Sequence, residues 1–285
     1  MKLAFPKRRA GLFYISVGLI LSTIILIAVL VSRLYMTTIS IEAEIAAQPI
    51  RDPYQSRFLP SAFYFPRDQE HPKDEEGRPM AILAQINFEE VPRLRGYPRT
   101  GILQIFIEAH DDLLGWDEGV FIDHEQRSGY RVRYFPTIDR DPAKLVTDFS
   151  FLPNPTDFGL VYLPLHRECT LTFKKRTEFI DPADYRFMRL LGEDFFKKWG
   201  PLNDHVWNWF YDRPSRNKHK IGGWGNFAQE DPRHYLDEDW LLLFQMDTDV
   251  GAKIFWGDIG IGNFFIRPED LKNLDFSNVA YDWSS

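Results

Sequence analysis

The stretch "LLLFQMDT", residues 241–248, lies over "AILAQINF", residues 81–88, with Gln245 on Gln85. Fifteen or sixteen residues beyond those glutamines comes a second apolar run, "GILQIFI" from Gly101 and "GIGNFFI" from Gly260, identical at four of seven positions. Each run leads into acids, Asp111 and Asp112 in one copy, Glu269 and Asp270 in the other. Self-similarity of this kind reads as an internal duplication, with repeats near 81–112 and 241–270. The two-residue period of a strand places Leu83, Gln85 and Asn87 on one face and Ile82, Ala84 and Ile86 on the other. Both faces are apolar apart from the amides, which predicts central strands covered on both sides.

Other segments fill in the class. "YRVRYFP" (130–136), "LVYLPL" and "TLTFKK" read as further strands. Asp181 and Pro182 suit the start of a helix in which Phe187, Leu190, Leu191, Phe195 and Trp199 recur at helical spacing, until Gly200 and Pro201 stop it. "LNDHVWNWFYD" reads as a second short helix. The expected fold is α+β: a duplicated, mostly antiparallel sheet domain with helices, preceded by one transmembrane helix.

That last element comes from Gly11–Val31, a run of 21 uncharged residues, against the roughly 20 that cross a bilayer. Lys2, Lys7, Arg8 and Arg9 precede it and only Arg33 follows closely, so the positive-inside rule predicts a cytoplasmic N-terminus and an outward-facing domain at a plasma or inner membrane. The expected divisions are a basic tail (1–10), the span (11–32), a juxtamembrane helix and linker (33–60, including "TTISIEAEIAAQ") and one domain (61–285). Of the chain's 34 basic residues five lie at or before Arg33, whereas all 41 acids lie beyond it. The remainder therefore carries 29 against 41, a formal −12, which argues against nucleic acid and for a protein partner of basic character. A single cysteine, Cys169, excludes an internal disulfide and a cysteine zinc site.

The motifs "LAQINFEEVP", "GILQIFI", "HKIGGWGNFAQEDPR", "LLLFQMDTD" and "WGDIGIGNFFI" resemble the YwqG-like family, a bacterial group of largely unknown function. The resemblance implies a duplicated α+β domain. The association of some members with toxin systems implies an immunity-type binder.

Candidate chemistry is sparse. Asp247 and Asp249 share a face at a strand end, and Asp258 follows eleven residues after Asp247, mimicking positions 1, 3 and 12 of a calcium loop. The mimicry fails, because Gly251 stands one place early and Ile254, Phe255 and Trp256 fill the rest, so these are read as turn acids. His219, beside Lys220 and the Gly222–Gly223 turn, is either a loop histidine or a binder of an anionic group beside backbone donors. The amides Gln85, Gln104, Gln245 and Asn263 are read as satisfying irregular backbone rather than binding a ligand. No catalytic residue, metal or cofactor is expected, and His219, Trp224, Asp247, Asp249, Trp256 and Asp258 remain as binding candidates. "KIFWGD" is expected to add a strand and a two-residue Gly257–Asp258 turn, with Trp256 at its tip and a bare strip over Gly260 and Gly262.

The leading expectation is a membrane-tethered, non-enzymatic binding module. The alternative is an envelope-facing enzyme or small-ligand receptor with an acidic cleft around Asp247, Asp249 and Asp258.

Overall fold

The computed structural model describes residues 31–108, 110, 112–116, 129–152, 162–192, 194–212, 219–236 and 238–285, with Ser22, Ile25 and Val29 before them. The α+β expectation is corrected by it. One ten-stranded antiparallel sheet dominates, and the α-helices after Arg186 are six or nine residues long.

In chain order the elements are β1 (Tyr35–Ile45), β2 (Arg57–Phe58), β3 (Ala81–Asn87), β4 (Ile102–Ile107), β5 (Tyr130–Phe135), β6 (Cys169–Phe179), α1 (Arg186–Leu191), α2 (Asn203–Tyr211), β7 (His219–Ile221), β8 (Leu241–Asp247), β9 (Ile261–Ile266), α3 (Pro268–Asn273) and β10 (Ala280–Ser284). Their order across the sheet is β10-β9-β8-β7-β1-β6-β2-β3-β4-β5. The outermost strands curl towards each other: Tyr130 Oη donates to the Val279 carbonyl at 2.7 Å, and the Tyr134 and Phe276 rings lie 4.7 Å apart. The result is nearly a barrel. Its interior is one apolar core in which Phe58 of β2 meets Phe244 of β8, and Tyr130 of β5 meets Phe264 of β9.

β1 and β6 form the middle of the sheet, pairing from Tyr35 opposite Phe179 to Ile45 opposite Cys169. β1 comes from the stretch read as a juxtamembrane helix. Its alanines and glutamates favour helix, but Ile39, Ile41 and Ala43 alternate into the core, and pairing with β6 and β7 outweighs local propensity.

The span expected over Gly11–Val31 is not carried forward. Among the described residues no helix is long and apolar enough to cross a membrane. Of that segment only Ser22, Ile25, Val29 and Val31 are described, and the rest lies outside. The membrane partner, the single-pass topology and the plasma or inner-membrane location rested on that span and are withdrawn with it.

On either side of the β1–β6 pair the strands form two similarly built blocks, β2–β5 and β7–β10. Arg57 of β2 stands opposite Gln85, and Lys220 of β7 opposite Gln245. β3 and β8 each shift register at their third residue, between Ile82 and Ala84 and between Leu242 and Phe244. Gln85 then faces Gln104, and Gln245 faces Asn263. The amides perform the same task in both. Gln85 Oε1 accepts the Tyr64 amide at 2.9 Å while Gln104 Nε2 donates to the Tyr64 carbonyl at 2.5 Å. Gln245 Oε1 accepts the Asn226 amide at 2.9 Å while Asn263 Nδ2 donates to the Asn226 carbonyl at 3.0 Å. A buried peptide unit outside the ladder is thereby satisfied twice in each block, which the burial of all four side chains makes obligatory.

Candidate functional site

The expected long helix after Asp181 does not form. Asp181 Oδ1 accepts the Ala183 amide in a turn, α1 ends at Gly192 with φ 90°, and a 3₁₀ segment, Phe196–Leu202, kinks at Gly200 with φ 50° before α2 begins. Only a residue without a Cβ adopts Gly200's conformation (ψ −121°) at low cost. These breaks fold the 186–211 stretch into a compact unit around Phe187, Phe196 and Phe210, which packs on Phe179 at the end of β6 and on Leu34 and Trp224.

A buried ionic network pins this unit to the sheet. Glu178 Oε2 accepts from Lys220 Nζ at 3.0 Å, and Glu178 Oε1 accepts the Trp224 amide at 2.6 Å. Lys220 Nζ also donates to Asn226 Oδ1 at 2.7 Å, and Asn226 Nδ2 to Asp181 Oδ2 at 2.7 Å. Asp184 Oδ2 collects Arg186 Nη2 (2.6 Å), Arg233 Nη2 (3.0 Å) and the Gly225 amide (3.1 Å). Arg233 completes its bonding on Asp231 and on the Trp240 carbonyl. Gly222 and Gly223 make the intervening turn at φ 66° and 85°, and a Cβ on Gly223 would run into the Glu178 carboxylate. Glycine is required there by both conformation and space.

Electrostatics follow from burial. Desolvation pulls Lys220 below the usual lysine range, against the pull of Glu178. Burial alone would raise Asp184, but Arg233 and Arg186 overrule it and hold the carboxyl well below the carboxylate range. Arg233 is likewise penalised by burial and held protonated by Asp184 and Asp231. Glu178, Lys220, Asp184, Arg186, Asp231 and Arg233 thus each have a partner of opposite sign. The network stabilises a turn and docks a helical unit.

That unit displays rings. Trp199, Leu202, Trp209 and Tyr211 are 43 to 60% exposed. The three rings pack on neighbouring ones: Trp199 on partly buried Phe195 (6.1 Å), Trp209 on buried Phe179 (6.3 Å) and Phe210 (4.9 Å), Tyr211 on partly buried Trp207 (5.5 Å). Tyr35, at the start of β1, adds an edge contact to Phe179 at 5.2 Å.

The binding candidates from the sequence meet only in part, with His219 contacting Asp247 and Asp249. His219 is buried; its Nδ1 accepts the Asp247 amide at 3.1 Å, which leaves the proton on Nε2, 3.6 Å from Asp249 Oδ2. Asp249 Oδ1 accepts the Gly251 and Ala252 amides, the bonding of a turn acid. Asp258 is exposed on the following turn. Trp224 is buried with Arg186 stacked 4.6 Å above its ring. Trp256, expected at a tip, is completely buried. Its carbonyl accepts the Gly260 amide at 2.7 Å, closing a wider turn than the two-residue one expected, and of the added strand only Ile254 makes bridges.

The indole of Trp256 covers Gly262: a Cβ there would come within 2.5 Å of Trp256 Cζ2. The bare strip is filled from within. Asp247, Asp249 and Asp258 form no group of metal-type ligands among the described residues. Among the described residues the one trio of metal-type ligands within reach of each other is Asp74, Glu76 and Glu108, and Arg78 bridges all three. Cys169 is buried, and burial raises its thiol to about 11, away from nucleophilic use.

The residues that sequence reasoning missed are Glu178, Lys220, Asp184, Arg186, Asp231 and Arg233. Only Asp231-Pro232 left a signal, a helix-start pair that does cap a short 3₁₀ turn.

The chain belongs to the family described as Domain of unknown function (DUF1963), which matches residues 61–284. Comparison with curated proteins gives no match. β1 and β2 precede the matched region, yet β1 is the strand that joins β6 to β7.

Proposed function

We propose that this chain is a protein-binding module whose contact surface is the aromatic face of the 186–211 unit. The observation that carries this reading is the exposure of Trp199, Leu202, Trp209 and Tyr211 on a unit packed around a buried ring cluster. Tryptophan and tyrosine dominate the energetics of protein interfaces, because large rings bury much area at little entropic cost. Preorganisation by the rings below lowers that cost further. Within the finer YwqG-like reading the partner is a toxin, and the module an immunity-type binder that acts by occupying a surface.

The test is affinity capture with the full chain and with a Trp199→Ser/Trp209→Ser/Tyr211→Ser variant of unchanged circular dichroism. Partners bound by the former and lost from the latter support the reading. Identical partner sets for the two proteins sink it.

A further inference from the structure

β5 and β10 end the sheet on either side of a seam that no ladder crosses. A cleft of about 350 Å³ runs along it, lined by Tyr130–Arg133 on one side and by Phe276, Ser277 and Val279 on the other. The Glu108 amide donates to the Gly129 carbonyl, so the alternation of an antiparallel ladder turns the backbone groups of Arg131, Arg133 and Phe135 towards β4. Those of Tyr130, Val132 and Tyr134 face the seam. The Tyr130 carbonyl takes Arg131 Nη1 at 2.7 Å, whereas no hydrogen bond among the described residues uses the N–H or C=O of Val132 or Tyr134. Such an edge is a template for another strand.

Charge gives the edge a preference. Arg133 stands opposite Gln104 as Asp282 stands opposite Asn263 in the second block. Asp282 is engaged by Trp116 Nε1 at 2.9 Å. Arg133 makes no ion pair among the described residues, and its Nη1 is sealed from solvent without a hydrogen-bond partner there. The carboxylate whose charge reaches it, Glu70, is bonded to Lys73. A buried guanidinium nitrogen left unmatched is costly, and a carboxylate relieves that cost most fully.

We propose that the β5 edge accepts an extended acidic segment of a partner protein as an added strand, paired to Val132 and Tyr134 with a carboxylate on Arg133. The residue opposite Arg133 would share its face, which puts an acidic side chain within reach. This deepens the protein-binding reading but uses a surface separate from the aromatic face.

The experiment titrates the full chain into a labelled eight-residue peptide alternating threonine and glutamate, with a threonine–lysine peptide as control, read by fluorescence anisotropy. The glutamate peptide should bind at least about tenfold more tightly than the lysine peptide. Arg133→Glu should invert that order. Val132→Pro, which deletes one seam-facing N–H at an edge position that tolerates proline, should weaken the glutamate peptide by about tenfold. Arg133→Gln serves if the charge reversal does not fold. Equal binding of the two peptides, no saturable binding below about 1 mM, unchanged binding by Arg133→Gln, or competition by free glutamate as effective as by the peptide overturns the proposal. Trp199→Ser and Trp209→Ser should leave this titration unchanged, so failure at the edge and failure at the aromatic face are read separately.

Discussion

The two blocks meet one packing requirement in different ways. Opposite Ile86 in β3 stands Leu103, whose own side chain fills the space beside it. Opposite Met246 in β8 stands Gly262, and the volume is supplied by Trp256 from the loop. The buried cations differ likewise. Arg57 is bonded to Glu168, whose side chain is 11% exposed and also takes the Ser61 hydroxyl. Lys220 is bonded to Glu178, which is itself enclosed and holds the glycine turn. The second block therefore fills its gap from a loop and encloses its carboxylate, where the first fills the gap from the paired strand and leaves its carboxylate partly exposed. Loops in the second block are structural members, and changes there should propagate farther.

The strongest way to break this contrast is to remove the two glutamates. Both cations are fully buried, but Glu178→Ala strips Lys220 of an enclosed carboxylate and should cost about 3–5 kcal/mol, whereas Glu168→Ala, at a carboxylate lining an open cleft that water can enter, should cost about 1–3 kcal/mol. Urea unfolding of both variants measures the difference; equal losses would erase the distinction between the blocks.

A double-mutant cycle sharpens it. Trp256→Ala should lose about 3–5 kcal/mol through the cavity it opens. Gly262→Leu, which drives a side chain into the indole, should lose a similar amount. Combined, they convert the second block to the first block's arrangement, and the loss should fall short of the sum by about 1–3 kcal/mol. Strict additivity would show that Gly262 and Trp256 are not one packing unit.

The edge residues Arg133 and Asp282 respond to pH differently. Burial raises the Asp282 carboxyl to about 6, with Trp116 opposing the rise. The folded state then takes up this proton before the unfolded chain does, so the group opposes folding above about pH 6 and stops doing so as pH falls towards 4. Relative to Asp282→Asn, the unfolding free energy should rise by about 2 kcal/mol between roughly pH 7.5 and 4. A flat difference across that range would show that the carboxyl is not desolvated.

The smallest effect belongs to Asp258, exposed on the turn after Trp256. Asp258→Ala should change stability by less than about 0.5 kcal/mol. A larger loss in thermal unfolding would give that turn a role beyond covering Gly262.

Some of this was legible in the residues and some was not, for physical reasons. Short-range periodicity located β3, β4, β5, β8 and β9, because a strand's alternation is written in consecutive side chains. It misread Tyr35–Ile45, where composition favours helix and only pairing on both sides makes a strand. It also overextended the helix after Asp181, because helical spacing of aromatic residues continues through Gly192 and Gly200 while the backbone does not. Of the acids of "MDTD", read as turn and strand-end acids, Asp247 ends β8 and Asp249 binds the amides two and three residues on, an interaction local in sequence.

Taken alone, the sequence determined that the amides Gln85, Gln104, Gln245 and Asn263 serve irregular backbone, the glycine turn at 222–223 and the net acidity, since these depend on residue identity and near neighbours. Only the tertiary structure decided that Lys220 meets Glu178, 42 residues away, that Trp256 covers Gly262, and that Trp199, Leu202, Trp209 and Tyr211 are exposed. A buried charge looks the same in a sequence as an exposed one. What separates them is the desolvation cost, which exists only once the chain has closed around the group and must be met by whichever partner the fold delivers.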